Sequence, residues 1–444
     1  MAYQYDKTGL GGTGTEQVDV VAHSTQIYTG PPREGAIADG DDVYIYPTHA
    51  VNPNGRGPVE FIIPPEVNSY TSLTDTRVEG TMQVLKEDGS DLAETDIVSV
   101  VNMPATAVFS QVNVHVNGVQ VTDNSANRTY PYNAYFINQL SYNKEAKEGH
   151  LNLIGYQDDT SLKSNNTDPE EHANLALRLA WFKKSKKWHF SSPIYDDLFQ
   201  SERLFDCNSE VKITFIRNDD PFVLLAKDET KKYKIVISDM KLSVRKIRLT
   251  ESAHLNMEKT LMKTDALYPI QHTVIKSFSV PASTSATISL FRGKLPSVVV
   301  VGLVKTDAYT GSYTENPFHF HHHHVSFMTL KINGKSYPST PFEPDFSNGK
   351  YAREVRAFYD NTGIGHRNFS NITPLRWANG NTIWVFDTTP DKCFNAHIHP
   401  PKHGVMDLQT NFKAEPASAL TAVVYALFNE VIAIGQDRKT LLTF

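Results

Sequence analysis

The sequence predicts an all-β protein with a few helices, arranged as two β-sandwiches in tandem. Three observations carry this. Short apolar runs with two-residue alternation recur along most of the chain and are bounded by Gly, Pro and Asn, the pattern of many short strands. A hairpin motif with an Asn-Gly turn appears twice, its asparagines 216 residues apart in a chain of 444, as two similar units in succession would produce. Helix-like stretches are few: one after each hairpin and one between the two units.

The first hairpin is Val108 to Thr122, VFSQVNVHVNGVQVT. Val112, Val114 and Val116 alternate with Asn113, His115 and Asn117, and the alternation resumes beyond Gly118 with Val119 and Val121. Asn117-Gly118 suits a type I′ turn, whose two central residues both need φ > 0. Folding there sets Val116 opposite Val119 and Val114 opposite Val121. The second copy is Ser326 to Ser339, SFMTLKINGKSYPS, with Asn333-Gly334 at its turn and Lys335 opposite Ile332. Each copy precedes an aromatic segment of helical character, TYPYNAYFINQLSY from Thr129 and NGKYAREVRAFYD from Asn348. Tyr135 lies seventeen residues after Gly118 and Tyr351 seventeen after Gly334, so the echo extends into these segments.

Taken in order, residues 1–57 are rich in Gly, Pro, Thr and Asp and read as an N-terminal extended arm. Within it Gly9, Gly11 and Gly14 match G-x-G-x-x-G, but only eight residues precede the first glycine, too few for the strand a dinucleotide site needs. VEFIIPP, TRVEGTMQVLK and DIVSVVNM supply strands ahead of the first hairpin. Asn143 to His172 reads as an exposed polar excursion. ALRLAWF, KWHFSSPI, EVKITFIRN and KYKIVISDMKLSVRKIRL read as further strands, completing a first unit at residues 58–250. Residues 251–266 read as a linker helix, because ESAHLNMEKTLMKT has helix-favouring composition without Gly or Pro. The second unit, 267–444 with the C-terminal tail, draws strands from HTVIKSFSVP, ATISLFRG, SVVVVGLV, the second hairpin, NTIWVFDT, GVMDLQTNFKAEP and LTAVVYALFNEVIAIG.

Composition narrows the function classes. The net charge of −6 excludes a global field toward nucleic acid or anionic membranes, so any such contact is local. Two cysteines, Cys207 and Cys393, cannot build a disulfide framework. The N-terminus has neither a basic start nor an apolar core, so no secretion by signal peptide is expected. Val298 to Val304 and Leu420 to Ile434 are too short or too interrupted to span a membrane.

Candidate chemistry is sparse. In a strand, His319, His321 and His323 of PFHFHHHHVSF would share a face and suit Zn or Ni, but no Asp, Glu or Cys joins them, so a polar strand end or loop is the simpler reading. His397, His399 and His403 of AHIHPPKH fit the cupin metal pattern poorly, since Asp391 stands where a glycine belongs and His403 where an acid belongs. Asn-Gly-Lys-Ser at 333–336 lacks the first glycine of a P-loop and reads as a turn. The acid pairs Asp196–Asp197 and Asp219–Asp220 sit beside turn residues and read as solvated caps. Lys183, Lys184, Lys186 and Lys187, bracketed by Trp181 and Trp188, form the one basic patch, a candidate nucleic-acid or nuclear-import element weighed against a solvated hairpin tip between buried tryptophans. The residues assign no catalytic group, cofactor or metal.

VFSQVNVHVNG, TYPYNAYFINQL, LYPI at 267–270, NPFHF, the NGKSYP turn and VVYALFNEVIAI together span most of residues 58–435. In these the chain resembles the major capsid proteins encoded by adintoviruses and Polinton (Maverick) elements, of the adenovirus–tectivirus lineage. The resemblance implies a double jelly roll: two tandem eight-stranded jelly rolls in a chain that forms homotrimers. These would be pseudo-hexagonal tiles of an icosahedral shell in the virion, assembled inside the host cell with penton and minor capsid proteins. It implies a structural protein, not an enzyme, and deletion of residues 1–57 is then expected to leave trimers but impair shells. Two other readings remain: a carbohydrate-binding tandem jelly roll, and a cupin-like metalloenzyme using His397 and His399.

Overall fold

A computed structural model describes residues 34–443, apart from 53–54, 124–125, 158, 160–171, 229, 363–371 and 393–398. The alternating and β-branched runs form strands. In the first half these are β1 (Ile37–Ile45), β2 (Val59–Ile63), β3 (Tyr70–Lys86), β4 (Val98–Val100), β5 (Phe109–Val116), β6 (Val119–Gln120), β7 (Trp188–Pro193), β8 (Val211–Arg217), β9 (Leu224–Ala226) and β10 (Tyr233–Leu249). The second half holds β11 (Ala266–Val280), β12 (Ser285–Leu295), β13 (Val298–Lys305), β14 (Val325–Ile332), β15 (Lys335–Phe342), β16 (Ile383–Asp387), β17 (Lys402–Phe412), β18 (Leu420–Ile434) and β19 (Thr440–Thr443).

The first half builds two sheets, β1-β10-β3-β7 and β2-β8-β5-β6, with β4 and β9 paired separately. The second builds β11-β18-β13-β16, extended by β19 against β18, and β12-β17-β14-β15. Setting aside the β4–β9 pair and β19, each half repeats one order: first-eighth-third-sixth in one sheet, second-seventh-fourth-fifth in the other. That order is two interlocked Greek keys, the jelly roll.

Three segments differ from the sequence reading. The stretch assigned to an arm through residue 57 contains β1, paired with β10 from Ile37↔Leu249 to Ile45↔Leu242. Its IADGDDVYI lacks apolar alternation because cross-strand charges stand in for it: Arg248 meets Asp39 at 3.2 Å and Asp41 at 3.4 Å, and Arg245 meets Asp42 at 3.4 Å. ALRLAWF, read as a strand, lies in the helix Ala173–Phe182. Ala, Leu and Arg are strong helix formers, and Leu175, Arg178 and Phe182 share its buried face. The polar tract after Asn143 is not wholly exposed, since Leu151, Ile154 and Tyr156 fold back into the core.

The helix Thr129–Ser141 covers the outer face of β11-β18-β13-β16. Alternation along β18 explains why that strand is apolar on both sides. Phe428 packs on Phe291 of β12 inside the sandwich, ring centroids 5.7 Å apart, whereas Tyr425 on the opposite face meets Phe136 of the helix at 5.5 Å. The apolar runs considered as membrane spans are therefore buried strands, β13 and β18, and no helix of the described residues is long and apolar enough to cross a membrane.

Candidate functional site

Both Asn-Gly turns carry left-handed backbone at each central residue: φ is 50° and 81° at Asn117 and Gly118, and 49° and 80° at Asn333 and Gly334. Val116 pairs with Val119, Val121 N–H donates to the Val114 carbonyl at 2.9 Å, and Ile332 pairs with Lys335. Asn117 also reaches out of its hairpin, donating from Nδ2 to Ser209 Oγ at 3.1 Å and to the Arg438 carbonyl at 2.9 Å. The aromatic echo does not continue in register. Tyr135 sits in mid-helix, whereas Tyr351 precedes the helix Ala352–Thr362 and stacks on Phe346 at 5.6 Å.

The junction between halves is aromatic and polar. Tyr135 stacks on Phe318 with centroids 4.9 Å apart and planes 6° from parallel, and Phe320 lies 5.5 Å from Phe136. Gly302 on β13 permits this, because a Cβ there would overlap the Phe320 ring. Arg128 donates to the carbonyls of Tyr309 and Thr310, and Thr273 N–H donates to Asp197 Oδ2 at 2.8 Å.

One member of each acid pair, Asp196 and Asp220, is buried rather than a solvated cap, whereas Asp219 is exposed at the start of a short helix. Asp196 is buried, accepts Leu198 N–H at 3.1 Å and Thr122 Oγ1–H at 3.3 Å, and has its pKa pushed up to about 7 by burial and by the charge of Asp197. Asp197 lies 3.1 Å from His272 Nδ1; burial lowers the pKa of that ring, but the carboxylate outweighs it and the net shift is upward. Buried Asp220 pairs with Arg56 at 2.7 Å, and exposed Asp219 pairs with Arg56 and Arg128. Sequence alone could not place these arginines beside the acids, since Arg56 lies 164 residues from Asp220 and Arg128 lies 91 from Asp219.

The four lysines are exposed. Lys183 and Lys184 share Glu94, at 3.5 and 3.4 Å, and the bracketing tryptophans are half-buried rather than buried, stacked 5.5 Å apart. This leaves a short basic turn with part of its charge answered. The histidine run is a loop entering β14, not a strand, with φ of 44° at His323 and 52° at His324. Its rings stack on one another and on Phe346, which lies 4.1 Å from His322. Burial, followed by neighbouring histidines, lowers His319 and His321 to about 4 and His322 and His323 to about 3. The ring centroids of His319 and His321 are 6.0 Å apart and those of His321 and His323 5.0 Å apart. His399 Nε2 lies 2.9 Å from Asp391 Oδ1, while His397 falls outside the described residues, as do Gly9, Gly11 and Gly14.

Among the described residues one group does bring ligand atoms together: Cys207, His254 and Glu258, all within 4.8 Å of one another. The sequence reading passed over it. The only local signal was His254 and Glu258 four residues apart on a helix, with Cys207 far upstream.

No family model matches the chain. A protein of Caenorhabditis elegans described only as uncharacterized is 25% identical over 410 residues, 87% of this chain and 93% of that protein. A chain of the Sputnik virophage structure superposes with a TM-score of 0.61 at 10% identity, covering 96% of this chain and 93% of that chain. The mavirus major capsid protein gives 0.54 at 12% identity, covering 98% and 97%. The chain thus has the double-jelly-roll fold of viral major capsid proteins, and at these identities the likeness is one of fold.

Proposed function

We propose that this chain is the structural major capsid protein of a double-stranded DNA virus or virus-like element of the adintovirus and Polinton (Maverick) group. The observation that carries the reading is the duplicated strand order. Two jelly rolls per chain give three chains six similar walls, so a trimer with threefold symmetry fits a near-sixfold lattice. In this reading residues 34–250 form the first jelly roll, the helix Glu251–Leu261 links the two, and 267–443 form the second.

The edge strand β1 ends the β1-β10-β3-β7 sheet and exposes Ile37, Val43, Tyr44 and the adjacent Tyr46 among the charged Asp39, Asp41 and Asp42, so any association along it would be of mixed apolar and charged character. Mechanism here is assembly: broad contacts hold the trimer, and smaller contacts between tiles allow correction as the shell grows. Penton and minor capsid proteins complete the shell where tiles do not fit, and the product is the virion, assembled inside the host cell. Lys183, Lys184, Lys186 and Lys187 limit any nucleic-acid contact to one turn. Negative-stain imaging of the full chain at rising protein concentration tests this: hexagonal-outlined tiles or shells are expected, and dispersed single chains at every concentration would contradict it.

A further inference from the structure

The helix Glu251–Leu261 has no fully buried residue, and Leu255 and Met257 along it are exposed. Its ties to the body are mainly polar. Tyr70 Oη lies 3.1 Å from His254 Nδ1, while the Glu258 carboxylate receives Asn208 Nδ2–H at 3.2 Å and Arg438 Nη2–H at 3.3 Å. Four-residue spacing puts His254 and Glu258 on one face of the helix. Against that face stands Cys207, from the loop ahead of β8, so one sulfur, one imidazole nitrogen and one carboxylate oxygen converge within 4.8 Å.

We propose that Cys207, His254 and Glu258 bind a zinc ion that fastens this helix to the first half of the chain. The donor set decides the metal: thiolate and imidazole suit a borderline-soft cation, whereas calcium and magnesium take oxygen alone. Tetrahedral zinc needs ligand atoms about 3.5 Å apart, so small side-chain rotations on an exposed helix close the site. A water fills the fourth position from the adjoining cleft, lined by Tyr70, Asp206, Met257 and Tyr268. Charges balance. The Cys207 thiol releases its proton to water on binding, and thiolate plus carboxylate neutralise the dication. Arg438 keeps a partner throughout, because Asp206 Oδ2 accepts from its Nη1 at 2.6 Å.

The test is metal binding by the full-length protein, stripped with chelator and dialysed against zinc or cobalt(II). One zinc per chain is expected to remain, with a sulfur-to-cobalt charge-transfer band in the cobalt form. Cys207→Ser should abolish that band, Cys393→Ser should leave it, and His254→Gln should lose most of the bound zinc with the circular dichroism unchanged. Because His254 is on an exposed helix, its variant serves even if the buried Cys207→Ser misfolds. Absence of bound zinc would overturn the proposal. So would metal bound without a thiolate band, as the loop His319–His324 alone would give, or a band that disappears with Cys393→Ser instead.

Discussion

Asn117 and Asn333 make the same reciprocal pair of hydrogen bonds to a neighbouring segment of the chain, although 216 residues separate them. Asn117 N–H donates to the Glu210 carbonyl at 3.0 Å and its Oδ1 accepts Glu210 N–H at 2.9 Å. Asn333 does the same with Val405, at 2.9 Å in both directions. Each hairpin turn is thereby locked to the chain beside it in its own jelly roll, at the residue leading into β8 in the first copy and within β17 in the second. Gly404 makes room in the second copy, since a Cβ there would overlap the Asn333 amide.

Replacing these asparagines by glycine keeps the left-handed turn and removes only the side chain. Asn333→Gly should cost about 1 kcal/mol, and Asn117→Gly more, because Asn117 also serves Ser209 and the Arg438 carbonyl. Chemical denaturation of both variants checks the order.

The turn glycines test the backbone instead. No atom would meet a Cβ at Gly118 or Gly334, so strain there comes from φ alone. Gly118→Val and Gly334→Val should each destabilise by about 1 kcal/mol or more. Unchanged melting temperatures in both would remove the turn assignment.

The junction between halves depends on Phe320, wedged between Gly302 and the helix Thr129–Ser141. Phe320→Ala should cost about 3–5 kcal/mol, and Gly302→Ala should destabilise by displacing the same ring. If denaturation of Phe320→Ala matched the wild type, the two halves would not be held together by this packing.

Acid should weaken the fold through the histidine loop. Burial holds His319 and His321 at about 4 and His322 and His323 at about 3, against about 6.5 when unfolded. Between those values the unfolded chain binds more protons, so stability falls as pH drops below about 6.5. Asp196, raised to about 7 by burial, acts in the opposite sense, as do His272 and Glu354, both shifted upward, so three groups oppose the four histidines. Melting temperature should therefore be lower at pH 5 than at pH 7, and a His319→Gln/His323→Gln double variant should narrow the gap. Equal wild-type values at both pH values would contradict this.

The N-terminal truncation expected from sequence to spare trimers changes sign. Removing residues 1–57 takes away β1, the first strand of the first jelly roll, and should expose the edge of β10. Such a truncation is expected to yield aggregated or poorly folded protein, measured by solubility and circular dichroism.

How much was legible follows from where the determining interactions lie. The hairpins were readable because turn chemistry and alternation are local and agree, as at Asn117-Gly118. β1 was not, because Asp39, Asp41 and Asp42 are paired by arginines about two hundred residues away. The helix Ala173–Phe182 was misread because a short apolar run suits either period. The Cys207, His254 and Glu258 group depended on a contact between segments that only the folded chain brings together. The acid pairs depend on contacts of the same kind: Asp197 meets His272 and Thr273 N–H of β11, and buried Asp220 meets Arg56.

The most direct test of the capsid reading is the native mass of the purified full-length protein by light scattering across salt and protein concentration. The account predicts a species of three 49.8 kDa chains, or larger shells built from it. A stable monomer under all of these conditions would contradict it.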